Sequence, residues 1–170
     1  DIPTKIYFGK REIENLGKLI LQYGKKVLFL YGKSSIKKIG LYDEVINKLK
    51  QNNISYCELS GVDPNPRLST VREGIEIVKK NGIDFILCVG GGSTIDCGKA
   101  IAAGAVYDGD IWDQFTFKAQ PNQALRIFSI MTLAASGSEM NSYAVVTNEE
   151  TKQKMSIMST ATFPTVSVIN

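Results

Sequence analysis

Apolar positions along the chain fall into two patterns: short continuous runs, and longer segments with apolar residues three to four apart. The run at 26–31 (KVLFLY) lies between Gly24 and Gly32 and reads as a buried strand. The run at 85–89 (FILCV) ends in three glycines and has the character of a strand covered on both faces of a parallel sheet. Residues 54–59 alternate and give a further strand, as does 125–133 (LRIFSIMTL). Between these runs lie three helical segments. The first, 41–53, places Val45, Ile46 and Leu49 on one face, with Asp43 and Glu44 early and Lys48 and Lys50 late, an order that suits the helix dipole. The second, 67–81, carries Val71, Ile75 and Val78 on one face and stops at Gly82. The third, 93–105, is rich in small residues that allow close packing on a sheet. Strands alternating with helices imply parallel βαβ units with right-handed crossovers. After Ser136 the pattern changes: 143–147 and 154–158 flank a polar stretch and read as an antiparallel hairpin. Residues 1–170 are therefore expected to form one α/β domain, a Rossmann-like parallel sheet with flanking helices and an added β-hairpin.

Composition narrows the classes of chemistry. Hydrophobic residues make up 44% and charged residues 22%, the balance of a globular protein with a real core rather than a disordered or fibrous chain. The net charge of +3 is too small to argue for nucleic acid. No apolar run approaches the roughly 18 residues of a membrane span, and the opening DIPTKIYFGKRE lacks the apolar centre of a secretory signal. The chain holds no histidine, which excludes Ser-His-Asp hydrolysis and His-ligated metal chemistry within it. Its three cysteines, Cys57, Cys88 and Cys97, form no CxxC pair, so a reducing cytoplasm is the expected location. Cys88 and Cys97 are expected to pack in the core, and Trp112 to anchor the loop around it. The chain opens on Asp1 and stops after an apolar run, so it is expected to be part of a longer polypeptide.

Three loops are candidate ligand sites. In Gly90-Gly91-Gly92-Ser93-Thr94-Ile95-Asp96 a glycine run follows a buried strand and a helix begins at Ser93, which can also cap it. Exposed N–H groups at a helix start, with the positive end of its dipole, suit a phosphate or pyrophosphate. The same glycines would also permit tight helix packing, and the spacing is not GxGxxG. The second loop, Gly32-Lys33-Ser34-Ser35-Ile36-Lys37-Lys38, offers hydroxyls and cations and no acid, which suits a 2′-phosphate; a solvated, Lys-rich helix start explains it equally. The third, Thr132 to Glu139, could line a cleft or form a capped turn. Asp96, Lys99, Asn141 and Lys154 are lone polar residues, a kind that more often sits at a surface or cap than at a catalytic centre.

Together the stretches GGGSTIDCGKAIA (90–102), TLAASGSEMN (132–141), DPNP (63–66) and YGKSSIKKIGLYDEV (31–45) resemble the iron-containing (group III) alcohol dehydrogenase family, in its NADPH-preferring butanol dehydrogenase and aldehyde reductase branch. The resemblance covers essentially the whole chain. It implies a dehydroquinate synthase-like N-terminal domain that binds a dinucleotide. Gly91, Gly92, Ser93 and Asp96 would meet the pyrophosphate and nicotinamide ribose. Thr132, Ser136 and Ser138 would line the cleft, with Asn141 and Lys154 near the ribose and nicotinamide. Gly32, Ser34 and Ser35 would meet the adenosine ribose. NAD-preferring members carry an acid at the position of Ser34, so its absence, with Lys37 and Lys38 nearby, is expected to favour NADP(H) over NAD(H). Lys99 fits the family pattern without a catalytic role.

The resemblance further implies a divalent metal, iron or zinc, held by one Asp and three His in the whole enzyme. The histidines belong to an all-helical C-terminal domain that these residues do not include, and Asn170 falls at or next to the Asp. The expected activity is NADP-linked interconversion of short-chain aldehydes and primary alcohols by the full-length protein, this portion alone being inactive. A homodimer pairing through an N-terminal strand, here near Ile6-Tyr7-Phe8, is the family pattern. The alternatives are a glycerol dehydrogenase-like or dehydroquinate synthase-like enzyme and a stand-alone nucleotide-binding module. The synthases carry an aliphatic pair where this chain has Ser93-Thr94-Ile95, and SGSEMN favours the alcohol dehydrogenase branch.

Overall fold

A computed structural model describes residues 3–9, 11–132 and 137–169. Its elements are β1 (Lys5–Phe8), α1 (Arg11–Glu14), α2 (Leu16–Leu21), β2 (Lys26–Tyr31), α3 (Ser35–Lys38), α4 (Leu41–Gln51), β3 (Ser55–Leu59), α5 (Leu68–Asn81), β4 (Phe85–Gly90), α6 (Gly92–Ala105), α7 (Trp112–Phe115), β5 (Arg126–Met131), β6 (Tyr143–Asn148), β7 (Gln153–Met158), a 3-10 turn (Thr160–Thr162) and β8 (Val166–Ile169). Six strands form a sheet in the order β1-β8-β5-β4-β2-β3, every neighbouring pair parallel. β6 and β7 form a separate antiparallel pair, as the pattern change after Ser136 predicts.

The central strands are apolar throughout because both faces are covered. Val27, Phe29 and Tyr31 of β2 and Phe85, Leu87 and Val89 of β4 pack with Ile13, Leu16, Ile20 and the apolar face of α4. The intervening Leu28, Leu30, Ile86 and Cys88 pack on the other side with α5, α6 and the hairpin. Two cores thus sandwich one sheet. Helix α6 lies close because Gly98 leaves no side chain between it and Cys88: a Cβ there would sit 2.1 Å from the Cys88 sulfur. α5 ends where the sequence predicts, at Gly82 with a left-handed φ of 62°.

Two differences from the sequence reading have physical reasons. Of the strand expected over 125–133, β5 covers Arg126–Met131; β4 pairs all of it and β8 pairs its second part, Phe128–Met131, while Leu133 lies outside the described residues. The strand β1 is a four-residue edge strand, and α1 and α2 precede β2. The two helices went unread, although Ile13, Leu16 and Ile20, all buried, sit at helical spacing. Trp112 stacks on Phe115 at a centroid distance of 5.2 Å within the short helix α7 and packs against the core beside α6.

Candidate functional site

The site follows from the topology. From β2 the chain passes through α3 and α4 to β3 at one edge of the sheet; from β4 it passes through α6 to β5 on the opposite side. The strand order therefore reverses between β2 and β4, and the loops leaving their carboxyl ends diverge and open a crevice, the place where open α/β sheets bind ligands. A cleft of about 290 Å³ lies there, lined by Gly32, Lys33 and Ser35 after β2, by Val62 and Pro64, and by Gly91, Ser93 and Thr94 after β4. An adjoining hollow of about 220 Å³ continues along α6 between Asn65, Gly92, Asp96, Val145 and Lys154. The 61–66 loop forms the shared wall. Gly61 N–H donates to the Gly32 carbonyl (2.7 Å), and the Ser93 hydroxyl donates to the Pro64 carbonyl (2.6 Å). Ser93 therefore ties the loop down and does not cap α6, whose cap position is Gly91.

Gly91 separates the two explanations of the glycine run. Gly98 is required for packing. Gly91 has an ordinary extended backbone (φ −93°), and a Cβ there would meet no protein atom within 4 Å. The protein itself has no need of glycine at this position. What the missing side chain provides is open access from the cleft to the start of α6, where the Gly92 and Ser93 N–H groups precede the first helical bonds, made by Thr94 and Ile95 to the Gly91 carbonyl. A phosphate-sized anion fits that arrangement.

Asp96 stands one turn further along α6. Its Oδ1 accepts from the Ser138 hydroxyl (2.6 Å) and its Oδ2 from the Val145 N–H (3.2 Å). Burial pushes its carboxyl above the ordinary range, opposed by these hydrogen bonds and by the nearby Lys99 cation. A carboxylate accepts about four hydrogen bonds, so Asp96 retains acceptor capacity toward the hollow it lines. Lys154, on β7, donates to Asn65 Oδ1 (3.3 Å) and faces the same hollow. The hairpin is held against this wall by Thr147 N–H to the Pro66 carbonyl (2.9 Å) and by Glu149, which accepts from the Ser69 hydroxyl (2.5 Å) and N–H (3.2 Å).

The residue that sequence reasoning undervalued most is Lys99. Its side chain is fully buried, and its ammonium donates to Ser138 Oγ (3.1 Å), to the Asn141 carbonyl and Oδ1 (2.9 Å each) and to the Tyr143 carbonyl (2.9 Å). Burial lowers its pKa to about 8, with Asp96, Cys88 and Glu139 pulling it back up. Cys88 and Cys97 are buried as expected, and burial pushes both thiols up, Cys97 to about 12.

Of the predicted site residues, Gly32, Ser35, Gly91, Gly92, Ser93, Asp96 and Lys154 line the cleft or its extension. Ser138 lies beneath Asp96, and Asn141 Oδ1 accepts from both Lys99 and the Tyr143 N–H. Thr132 N–H donates to the Gly90 carbonyl at the strand end. Ser136 and Asn170 lie outside the described residues. Ser34 is at the cap position of α3 and, like Lys37 and Lys38, is not among the cleft-lining residues. The Lys37 ammonium lies over the Tyr42 ring at 4.8 Å and within 5.7 Å of the Tyr31 ring. Lys33 is 3.6 Å from Asp63, which also pairs with Arg67 (3.1 Å). Asn65 and Thr147 are cleft residues that the sequence reading did not single out; DPNP was the one signal for the former. Among the described residues no cluster of three or more His, Cys, Asp or Glu side chains is placed to hold a metal, and no helix is long and apolar enough to cross a membrane. The residues described here thus do not fit the implied metal.

Comparison with known proteins agrees with the fold and corrects the cofactor. The family model for iron-containing alcohol dehydrogenase matches residues 3–170. The chain is 54% identical over 168 residues to a probable NADH-dependent butanol dehydrogenase of Bacillus subtilis, covering 99% of this chain and 43% of that protein. It is 51% identical to NADH-dependent butanol dehydrogenase A of Clostridium acetobutylicum, covering 92% of this chain and 40% of that protein. The crystal structure of an NADH-dependent butanol dehydrogenase A of Thermotoga maritima superposes with a TM-score of 0.97 at 51% identity, covering all of this chain and 43% of that one. The chain belongs to the iron-containing alcohol dehydrogenase family and spans less than half the length of these relatives. Their dependence on NADH overturns the NADP(H) preference expected from Ser34, Lys37 and Lys38. Of the cations near that loop, Lys37 is turned onto two tyrosines and Lys33 lies 3.6 Å from Asp63.

Proposed function

We propose, from membership in this family, that the chain is the NAD(H)-binding part of an alcohol dehydrogenase that interconverts a short-chain primary alcohol of the butanol type with its aldehyde. The observation that carries this reading is the switch-point cleft, where Gly91 opens the start of α6 to a pyrophosphate without serving any packing need of the protein. The adenosine end would lie toward Gly32 and Ser35, and the nicotinamide ribose toward Asp96 and Lys154. Bound NADH supplies hydride. The residues here do the holding: the α6 N–H groups take the anion, Asp96 accepts a donor from the ribose side, and Lys154, steadied by Asn65, adds a cation beside the same hollow. We place the metal and the substrate pocket in the remaining length of the polypeptide, which in the relatives exceeds the part matched here.

The test is reduction of butanal by the full-length, metal-loaded protein with NADH as donor. The expected result is NADH consumption that needs both aldehyde and metal and is faster than with dihydroxyacetone, the oxidised partner of glycerol. NADH binding without turnover of any short aldehyde would leave a nucleotide-binding module and overturn the dehydrogenase reading.

A further inference from the structure

Lys99 is the largest buried polar side chain that this reading leaves without a task. Its surroundings define one. The ammonium can only donate and the Asp96 carboxylate can only accept, so the Ser138 hydroxyl between them has a forced direction: it accepts from Lys99 at 3.1 Å and donates to Asp96 at 2.6 Å. The other three Lys99 contacts reach the Asn141 and Tyr143 backbone carbonyls and Asn141 Oδ1. Asn141 Oδ1 also receives the Tyr143 N–H, and Val145, two residues on, donates its own N–H to Asp96 Oδ2. Both donors that orient Asp96 are therefore set by segments that Lys99 holds.

A plain core role does not call for this residue. A methionine would fill the same stem volume without desolvating a charge, and burying an ammonium is costly unless it is hydrogen-bonded. The contacts all run from the middle of α6 to the strand-and-loop segment that walls the cleft.

We propose that Lys99 is a positioning residue of the cofactor site: acting through Ser138 and the 141–145 segment, its ammonium fixes the direction in which Asp96 presents its free acceptor sites to the nicotinamide-ribose half of bound NADH. This rests on the NAD(H)-binding reading above. It assigns Lys99 no contact with the cofactor and no part in proton transfer. The adenosine half, at Gly32 and Ser35, lies outside its reach.

The experiment measures NADH and ADP affinities by calorimetry on the full-length protein, wild type against Lys99→Met, Ser138→Ala, Asp96→Asn and the double variant Lys99→Met/Asp96→Asn, with a thermal midpoint for each. Lys99→Met and Ser138→Ala should each weaken NADH on the order of tenfold, the scale of one charge-supported hydrogen bond. ADP affinity should stay unchanged, and adding Lys99→Met to Asp96→Asn should bring no further loss. Equal loss of NADH and ADP would make Lys99 merely structural and overturn the proposal. So would a full additional loss in the Asp96→Asn background, or unchanged NADH affinity. If Lys99→Met does not fold, Ser138→Ala breaks the same bridge and decides by the same criteria. A wild-type protein that binds neither NADH nor ADP would refute the cofactor reading instead.

Discussion

The closeness of α6 to the sheet gives a quantitative prediction. In Gly98→Ala the added methyl would lie 2.1 Å from Cys88 Sγ, 3.4 Å from Ile86 Cγ2 and 3.5 Å from Leu30 Cδ2. Favourable contact needs roughly 3.5–4.0 Å, so the sulfur contact alone is short by about 1.5 Å. Cys88, Ile86 and Leu30 are all fully buried, and β4 is hydrogen-bonded between β2 and β5. Neither the side chain nor the strand has free space to retreat into. Alanine gains about 1 kcal/mol over glycine in a helix interior, while overpacking a filled core costs about 1–3 kcal/mol and occasionally more. With the helix gain set against the upper part of that range, the expected net loss is about 2 kcal/mol. Removing the opposing sulfur tests the cause. Cys88→Ala alone should cost about 1 kcal/mol through a small cavity, and Gly98→Ala/Cys88→Ala should be no less stable than Cys88→Ala. Urea unfolding followed by circular dichroism measures all three against wild type. Gly98→Ala within 0.5 kcal/mol of wild type (about the limit for sites without such contacts), or losses that simply add in the double variant, would refute the packing argument.

Gly91→Ala should leave the unfolding midpoint unchanged or slightly raised, because nothing lies within 4 Å of its Cβ and its φ is one alanine adopts, and should lower NADH affinity at least tenfold; calorimetry beside a thermal melt checks both. Lys37→Ala should leave NADH affinity unchanged and lose about 0.5–1 kcal/mol of stability, the scale of an exposed cation–π contact. Lys99 gives a pH dependence. Its folded pKa of about 8 lies below its usual 10.5, so between those values the unfolded chain binds the extra proton and the Lys99 contribution to stability rises with pH. The cost is full below pH 8 and gone above 10.5. Wild type should therefore gain on Lys99→Met by about 3 kcal/mol across that window. Parallel curves in urea titrations at pH 7 and 10 would contradict this.

The sheet was legible because strands covered on both faces leave unbroken apolar runs, and helices covered on one face leave a 3.6-residue period. The edge strand β1 was legible through the family resemblance alone, because it is short and half-exposed and leaves neither pattern. The cleft was legible in part: the glycine run and the 32–35 loop carry its chemistry in their residue types. What the sequence could not show is direction. Lys37 looks like a phosphate ligand until α3 turns it onto Tyr42. Lys99 looks like a surface lysine because its partners, Ser138, Asn141 and Tyr143, come some 40 positions later, and only the docking of that segment against α6 buries it. Asn65 was hidden in a loop named for its prolines, and its role depends on Lys154 arriving from the hairpin.

The most direct test of the central claim is one titration, NADH and NADPH side by side into the full-length protein, read by nicotinamide fluorescence. The expected result is saturable binding of NADH, with NADPH at least tenfold weaker, in line with the relatives' dependence on NADH and with Lys37 turned onto Tyr42 and Lys33 toward Asp63. Equal or tighter binding of NADPH would contradict the assignment of those lysines, and binding of neither would contradict the cleft itself.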